Sequence, residues 1–225
     1  MSKPAYVEQQ YEDIGQQTHS ATLGMWLFLA TEVLFFGVLF VSYTVYRTRW
    51  PDAFRQGSED LELWIGGINT AVLLTSSLFM ALAVRDAKRG HNGGVAAYLG
   101  LTILFGVIFL GFKATEYTLE AHEHLVPGIN FSTIPPDETS KPPSQQHPRP
   151  EQERLFMLFY FIMTAFHATH MLVGIGVMIV LIILTRRGHF SPAYHNPVEI
   201  AGLYWHFVDI VWVFLYPILY LLRQG

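Results

Sequence analysis

Glu32, Glu116, His167, His170, His206 and Asp209 lie within stretches apolar enough to cross a bilayer, and they are the candidates for chemistry. His206 and Asp209 stand one helical turn apart in Ala201-Gly-Leu-Tyr-Trp-His-Phe-Val-Asp-Ile-Val-Trp-Val-Phe-Leu-Tyr216. A carboxylate at bilayer depth costs roughly 2.5–3.5 kcal/mol, so such a pair must be hidden inside protein or put to use. Glu32 sits in Trp26-Leu-Phe-Leu-Ala-Thr-Glu-Val-Leu-Phe-Phe36, with no basic residue within two turns. It must be protonated, paired with another span, or bridged to water. Two readings follow: a proton-pathway or ion-coupling carboxylate, or a neutral acid whose hydrogen bonds lock helices together.

His167 and His170, in Phe166-His-Ala-Thr-His-Met-Leu-Val-Gly174, project about 60° apart around a helix. A bis-histidine haem takes its axial ligands from facing helices, and only His206 stands at comparable depth elsewhere. Hydrogen bonding between helices is the better reading, with His167, His170, His206, Asp209 and Glu32 satisfying one another. Ala165, Ala168, Thr169, Gly174 and Gly176 beside them are small enough for close backbone approach. Lys113, Glu116 and Glu120 fall at i, i+3 and i+7 on one helical face, where Lys113 and Glu116 can pair. This spacing is read as an interfacial polar stripe. Glu120, His122, Glu123 and His124 lack the i, i+4 histidines of a zinc-binding helix and are read as a solvated helix terminus. No catalytic, cofactor-binding or metal-ligating residue is assigned.

The elements that hold these residues are helices in a membrane. The chain is 51% hydrophobic and only 14% charged, where a soluble domain carries about a quarter charged residues. Apolar runs long enough to span a bilayer recur along it. The expected architecture is an all-α integral membrane bundle of five transmembrane helices, at about 21–46, 61–84, 95–120, 155–184 and 198–222. These form a single membrane domain. The absence of cysteine excludes disulfides and thiolate metal sites, and the net charge of −4 argues against nucleic acid. The polar, acid-containing N-terminus does not read as a signal peptide. No internal repeat of the transporter kind is visible.

Residues 126–152 hold seven of the twelve prolines, and the run 135–150 is read as a surface loop, flexible or ordered on a partner. With the N-terminus inside, six Lys and Arg residues fall in inner loops and seven in outer ones. The tight basic turns at Arg85–Arg89 and Arg186–Arg187 then share the inner side, which leans toward a cytoplasmic N-terminus and an outer C-terminus.

Four motifs in order carry a resemblance. They are Met25-Trp-Leu-Phe-Leu-Ala-Thr-Glu32 followed by Phe35-Phe36-Gly37; Lys113-Ala-Thr-Glu-Tyr117 leading to Pro127-Gly128; Phe166-His-Ala-Thr-His170 with Gly174; and Tyr204-Trp-His-Phe-Val-Asp-Ile-Val-Trp212. Together they resemble subunit III of the cytochrome c oxidases, in the haem–copper oxidase superfamily, over nearly the whole chain. The resemblance implies a subunit without redox centres, in a respiratory complex that couples oxygen reduction to proton translocation. Such a subunit buttresses the catalytic subunit, binds phospholipid and supports proton uptake. Haem and copper then belong to partner subunits, and the partners are catalytic subunit I, subunit II and small subunits in a bacterial inner membrane. Glu32 falls on the family's carbodiimide-reactive carboxylate, and His167, His170, His206 and Asp209 fall on its buried polar positions. The match begins at the third of seven mitochondrial spans, as in the shorter five-span bacterial members. The alternatives are the accessory subunit of a nitric oxide reductase or a quinol oxidase, and a proton-coupled transporter.

Overall fold

The computed structural model describes residues 10–59, 61–129, 131–134 and 151–221. Its helices in chain order are α1 (Ile14–Arg49), α2 (Pro51–Glu59), α3 (Leu63–Arg89), α4 (Asn92–His122), α5 (Glu153–Arg186) and α6 (Asn196–Tyr216), followed by a π-helical turn at Pro217–Leu221. All but α2 are long and apolar enough to cross a membrane, the last together with its π turn. The 34 residues of α5 rise about 51 Å, well beyond the roughly 30 Å of a hydrocarbon core. The Pro-rich run 135–150 lies outside the described residues.

Two differences from expectation have local causes. α1 starts seven residues early because its polar first turn is capped: Gln16 N–H donates to Asp13 Oδ1 at 2.7 Å, and Gln16 Oε1 accepts from Glu12 N–H at 2.7 Å. α2 was not expected, yet Pro51 and Asp52 are strong openers of a helix. Its Phe54 packs against Tyr43 and Phe156, at centroid distances of 5.3 and 5.7 Å.

Tight turns join the helices. Gly90 and Gly188 take positive φ (75° and 70°) just past α3 and α5. In each turn the following residue's N–H bonds back to the helix, His91 to Asp86 O and His189 to Leu184 O. His124 does the same work after α4 at φ 57°, with Leu125 N–H on Glu120 O. His122, Glu123 and His124 are exposed there, as a solvated helix terminus should be, but Glu120, expected to share that terminus, is buried at 4% exposure.

The chain divides into two compact units. The first comprises the described residues of Met1–Phe35, Val72–Val107 and Thr169–Ile210. Its core includes Met80, Val95, Leu99 and Trp205, all fully buried. Trp205 fits because Gly174 faces it: a Cβ at Gly174 would stand 2.9 Å from the indole. The second unit comprises the described residues of Phe36–Ala71, Ile108–Ala168 and Val211–Gly225. Its core is aromatic, built on Phe109, Phe156, Tyr160, Trp212 and Tyr220. Burial ranks the helices sharply. The most apolar stretch of α6 is 61% buried and that of α1 only 11%. Leu23, Leu27, Leu34, Val38 and Val41 of α1 are accordingly exposed, a face for lipid or a membrane partner.

Candidate functional site

In the second unit, Lys113 of α4 is the centre of a buried polar cluster. Its Nζ donates to Glu116 Oε2 at 2.7 Å, to Tyr160 OH at 2.8 Å and to Tyr220 OH at 3.0 Å. An ammonium has three donors, and all three are used. The Tyr220 hydroxyl donates in turn to Glu116 Oε1, which closes a ring of bonds through both carboxylate oxygens. Tyr160's hydroxyl also lies against Glu120. Around the ammonium stand four aromatic rings: Tyr160, Tyr117, Trp212 and Tyr220, with centroids 4.6, 5.2, 5.5 and 5.8 Å from Nζ. The side chains of Lys113 and Glu116 are 4% and 3% exposed.

α6 reaches this cluster by a change of helical pitch. Pro217 has no N–H for the α-helical ladder, and the chain continues as a π turn that carries Tyr220. Carbonyls at this end find hydroxyl donors: Tyr43 OH to Ile218 O at 2.9 Å and Ser58 Oγ to Leu219 O at 2.8 Å. Nearby, Trp212 Nε1 donates to Thr70 Oγ1 at 3.1 Å. His167 is 1% exposed and packs against Phe109 and Trp212, with ring centroids 5.4 and 5.2 Å away.

The first unit holds separate polar pairs. His170 Nε2 lies 3.1 Å from Glu32 Oε2, with side chains 17% and 19% exposed. Tyr204 stacks on this imidazole and donates its hydroxyl to His170 O at 2.9 Å. Ser77 Oγ lies 2.7 Å from His206 Nδ1. Trp205 Nε1 donates to Ser76 Oγ at 3.1 Å, and Ser76 donates to Thr102 O at 3.1 Å. Asp209 is 3% exposed, and neither of its carboxyl oxygens meets hydrogen-bond geometry, although the Ser77 hydroxyl stands beside it. At the polar edge of this unit, Lys88 Nζ and Glu199 Oε1 are 2.6 Å apart. Among the described residues, no three His, Asp or Glu side chains converge as a metal site would require.

Comparison with known proteins decides the family. A family model described as cytochrome c oxidase subunit III matches residues 152–223. A cytochrome c oxidase subunit 3 of Synechocystis sp. is 33% identical over 202 residues, which cover 88% of this chain and 74% of that protein. The chain belongs to the cytochrome c oxidase subunit III family. A cytochrome c oxidase subunit 3 of Thermostichus vulcanus is 31% identical, covering 90% of this chain and 87% of its own. A quinol oxidase subunit 3 of Bacillus subtilis is 30% identical over the same shares. With five apolar helices, this subunit III chain is a multi-pass membrane protein.

Set against the expected site residues, this subunit III chain keeps some pairings and corrects others. Lys113 and Glu116 pair as their spacing predicts, but they are buried rather than interfacial, because Tyr160 and Tyr220 enclose them. Glu32 is paired with another span, through His170. His206 was expected to bond to the fourth span; it bonds instead to Ser77 of α3. Asp209 likewise makes no hydrogen bond to the fourth span, now α5. Tyr160, Tyr220 and Ser77 were missed. Serine and tyrosine in apolar runs carry no charge to single them out, and their partners lie 47, 107 and 129 residues away.

Proposed function

We propose that this chain is a non-catalytic integral subunit of a respiratory haem–copper terminal oxidase, in a bacterial cytoplasmic membrane. The observation that carries the reading is family membership together with the use of the polar side chains. Lys113, Glu116, Glu32, His170 and His206 are engaged in bonds between helices, the work of a scaffold that braces a neighbouring catalytic subunit. Haem and copper belong to that neighbour and to subunit II. Curated relatives are named for both cytochrome c and quinol oxidases, and the donor is read by other subunits.

Phospholipid is the proposed small-molecule partner. A cavity of about 400 Å³ in the first unit supports this, being lined by Met25, Val173, Val177, Leu181 and Ala201, with Gln17 and Asn196 as polar members. It suits an acyl chain below a polar head. The proposed topology places the N-terminus and the basic turns at Arg85–Arg89 and Arg186–Arg187 in the cytoplasm. Support of the complex's proton uptake, as its family resemblance implies, is part of the same proposal.

Purification of the tagged chain from its own membranes in mild detergent tests the assignment. Copurification of a catalytic subunit bearing haem and copper is expected. Isolation of a folded chain alone that drives proton-coupled uptake in liposomes would overturn it, and a haem absorption band carried by that lone chain would do so as well.

A further inference from the structure

A second cavity in the first unit, about 370 Å³, is lined by Thr22, Ala81, Val84, Lys88, Asn196, Glu199, Gly202 and His206 among others. It differs from the lipid cavity in being partly charged. The Lys88–Glu199 pair lies on its wall, with the two side chains 56% and 29% exposed, and His195 Nε2 stands 3.7 Å from Glu199. His206 also lines it, and that imidazole is tied through Nδ1 to Ser77 at 2.7 Å. Ser77 in turn stands beside the buried Asp209 carboxyl. We propose that this cavity is a water-filled inlet through which Asp209 exchanges protons with the polar edge of the first unit, by way of His206 and Ser77.

The chemistry balances at every step. A proton relayed inward along water in the cavity, as hydronium giving its extra proton and remaining water, reaches His206 Nε2 and makes an imidazolium whose Nδ1–H donates to Ser77. The Nδ1 proton passes to Ser77 Oγ as the serine's own proton passes to an Asp209 oxygen. Imidazole is then neutral again, with its proton on the other nitrogen, and ring and hydroxyl reorientation resets the chain. One proton enters, one is delivered, and nothing is oxidised. An ionised Asp209 without hydrogen bonds would be an uncompensated buried charge, and accepting this proton removes it. The other titratable groups facing this path are Lys88, Glu199 and His195 at its mouth, on α3 and just before and within α6. Glu32 and His170, on α1 and α5, pair with each other. α1 contributes only Thr22 to the cavity wall.

The inlet is a property of this chain alone and stands or falls separately from the oxidase reading. Infrared spectroscopy of the purified protein, transferred from H2O to D2O, tests it. A protonated-carboxyl stretch absent from Asp209→Asn should shift promptly in the wild-type protein. His206→Phe should keep that band but slow its shift about tenfold or more, since only local opening would then reach the acid. Ala81→Trp, which fills the cavity, should slow it likewise. Ser77→Ala is the second relay variant, should His206→Phe fail to fold. A band that shifts at the wild-type rate in the folded relay variant and in Ala81→Trp would overturn the proposal, as would the absence of any band lost in Asp209→Asn.

Discussion

Replacing Lys113 with methionine keeps the aliphatic stem in its aromatic surroundings but removes the ammonium. Three donated bonds disappear, at 2.7, 2.8 and 3.0 Å, and Glu116 Oε2 loses its partner while Oε1 keeps the Tyr220 hydroxyl. Breaking one member of a buried ion pair costs about 3–5 kcal/mol, because the remaining charge is stranded. The retained Tyr220 donor places Lys113→Met near the lower end, at about 3 kcal/mol. Glu116→Leu should cost more, since it strands the ammonium against neutral hydroxyls alone. The double variant Lys113→Met/Glu116→Leu removes both charges together. It should cost less than the sum of the two single changes by about 2 kcal/mol or more. Reversible unfolding of the purified chain by SDS in mixed micelles measures all three. A Lys113→Met cost below about 1 kcal/mol, or additivity within about 0.5 kcal/mol, would refute the reading of these groups as a closed, mutually compensating cluster.

Three further outcomes are expected. Gly174→Val should destabilise the first unit by about 1–3 kcal/mol, because even a Cβ there meets the Trp205 ring at 2.9 Å; the same micelle titration reads it. Glu32→Gln preserves a hydrogen-bonding group 3.1 Å from His170 Nε2. It should assemble normally with oxygen reduction largely intact, and an assembled complex without activity would contradict a non-catalytic role. Asp13→Ala removes the α1 cap and should fray the first turn by about 1 kcal/mol, seen as faster amide exchange over residues 14–17 with no change further along the helix.

The five spans were legible because bilayer thickness sets a length that apolar runs must match; most helix ends then fall within three residues, the exceptions being the end of α3 at Arg89 and the capped start of α1 at Ile14. α2 escaped because its nine residues are too short and too polar for that rule, although Pro51 and Asp52 announced a helix start. The Lys113 stripe shows a different limit. Spacing of i, i+3 and i+7 states which residues share a face, not whether that face meets water or protein. The answer depended on Tyr160 and Tyr220, contributed by other helices. His206 was misassigned for the same reason: serine in an apolar helix gives no periodic signal, and Ser77 was as available as anything on α5.

The π turn at Pro217–Leu221 has a consequence for how the protein is made. Synthesis runs from the N-terminus, so Lys113 and Glu116 enter the membrane long before Tyr220 exists. Tyr43 and Ser58 likewise wait for Ile218 and Leu219. Three earlier segments of the second unit therefore stay incomplete until residues 218–220 arrive, and a buried ammonium is short of one acceptor for that interval. A nascent subunit stopped before residue 217 would leave these polar groups without the partners that Ile218, Leu219 and Tyr220 supply.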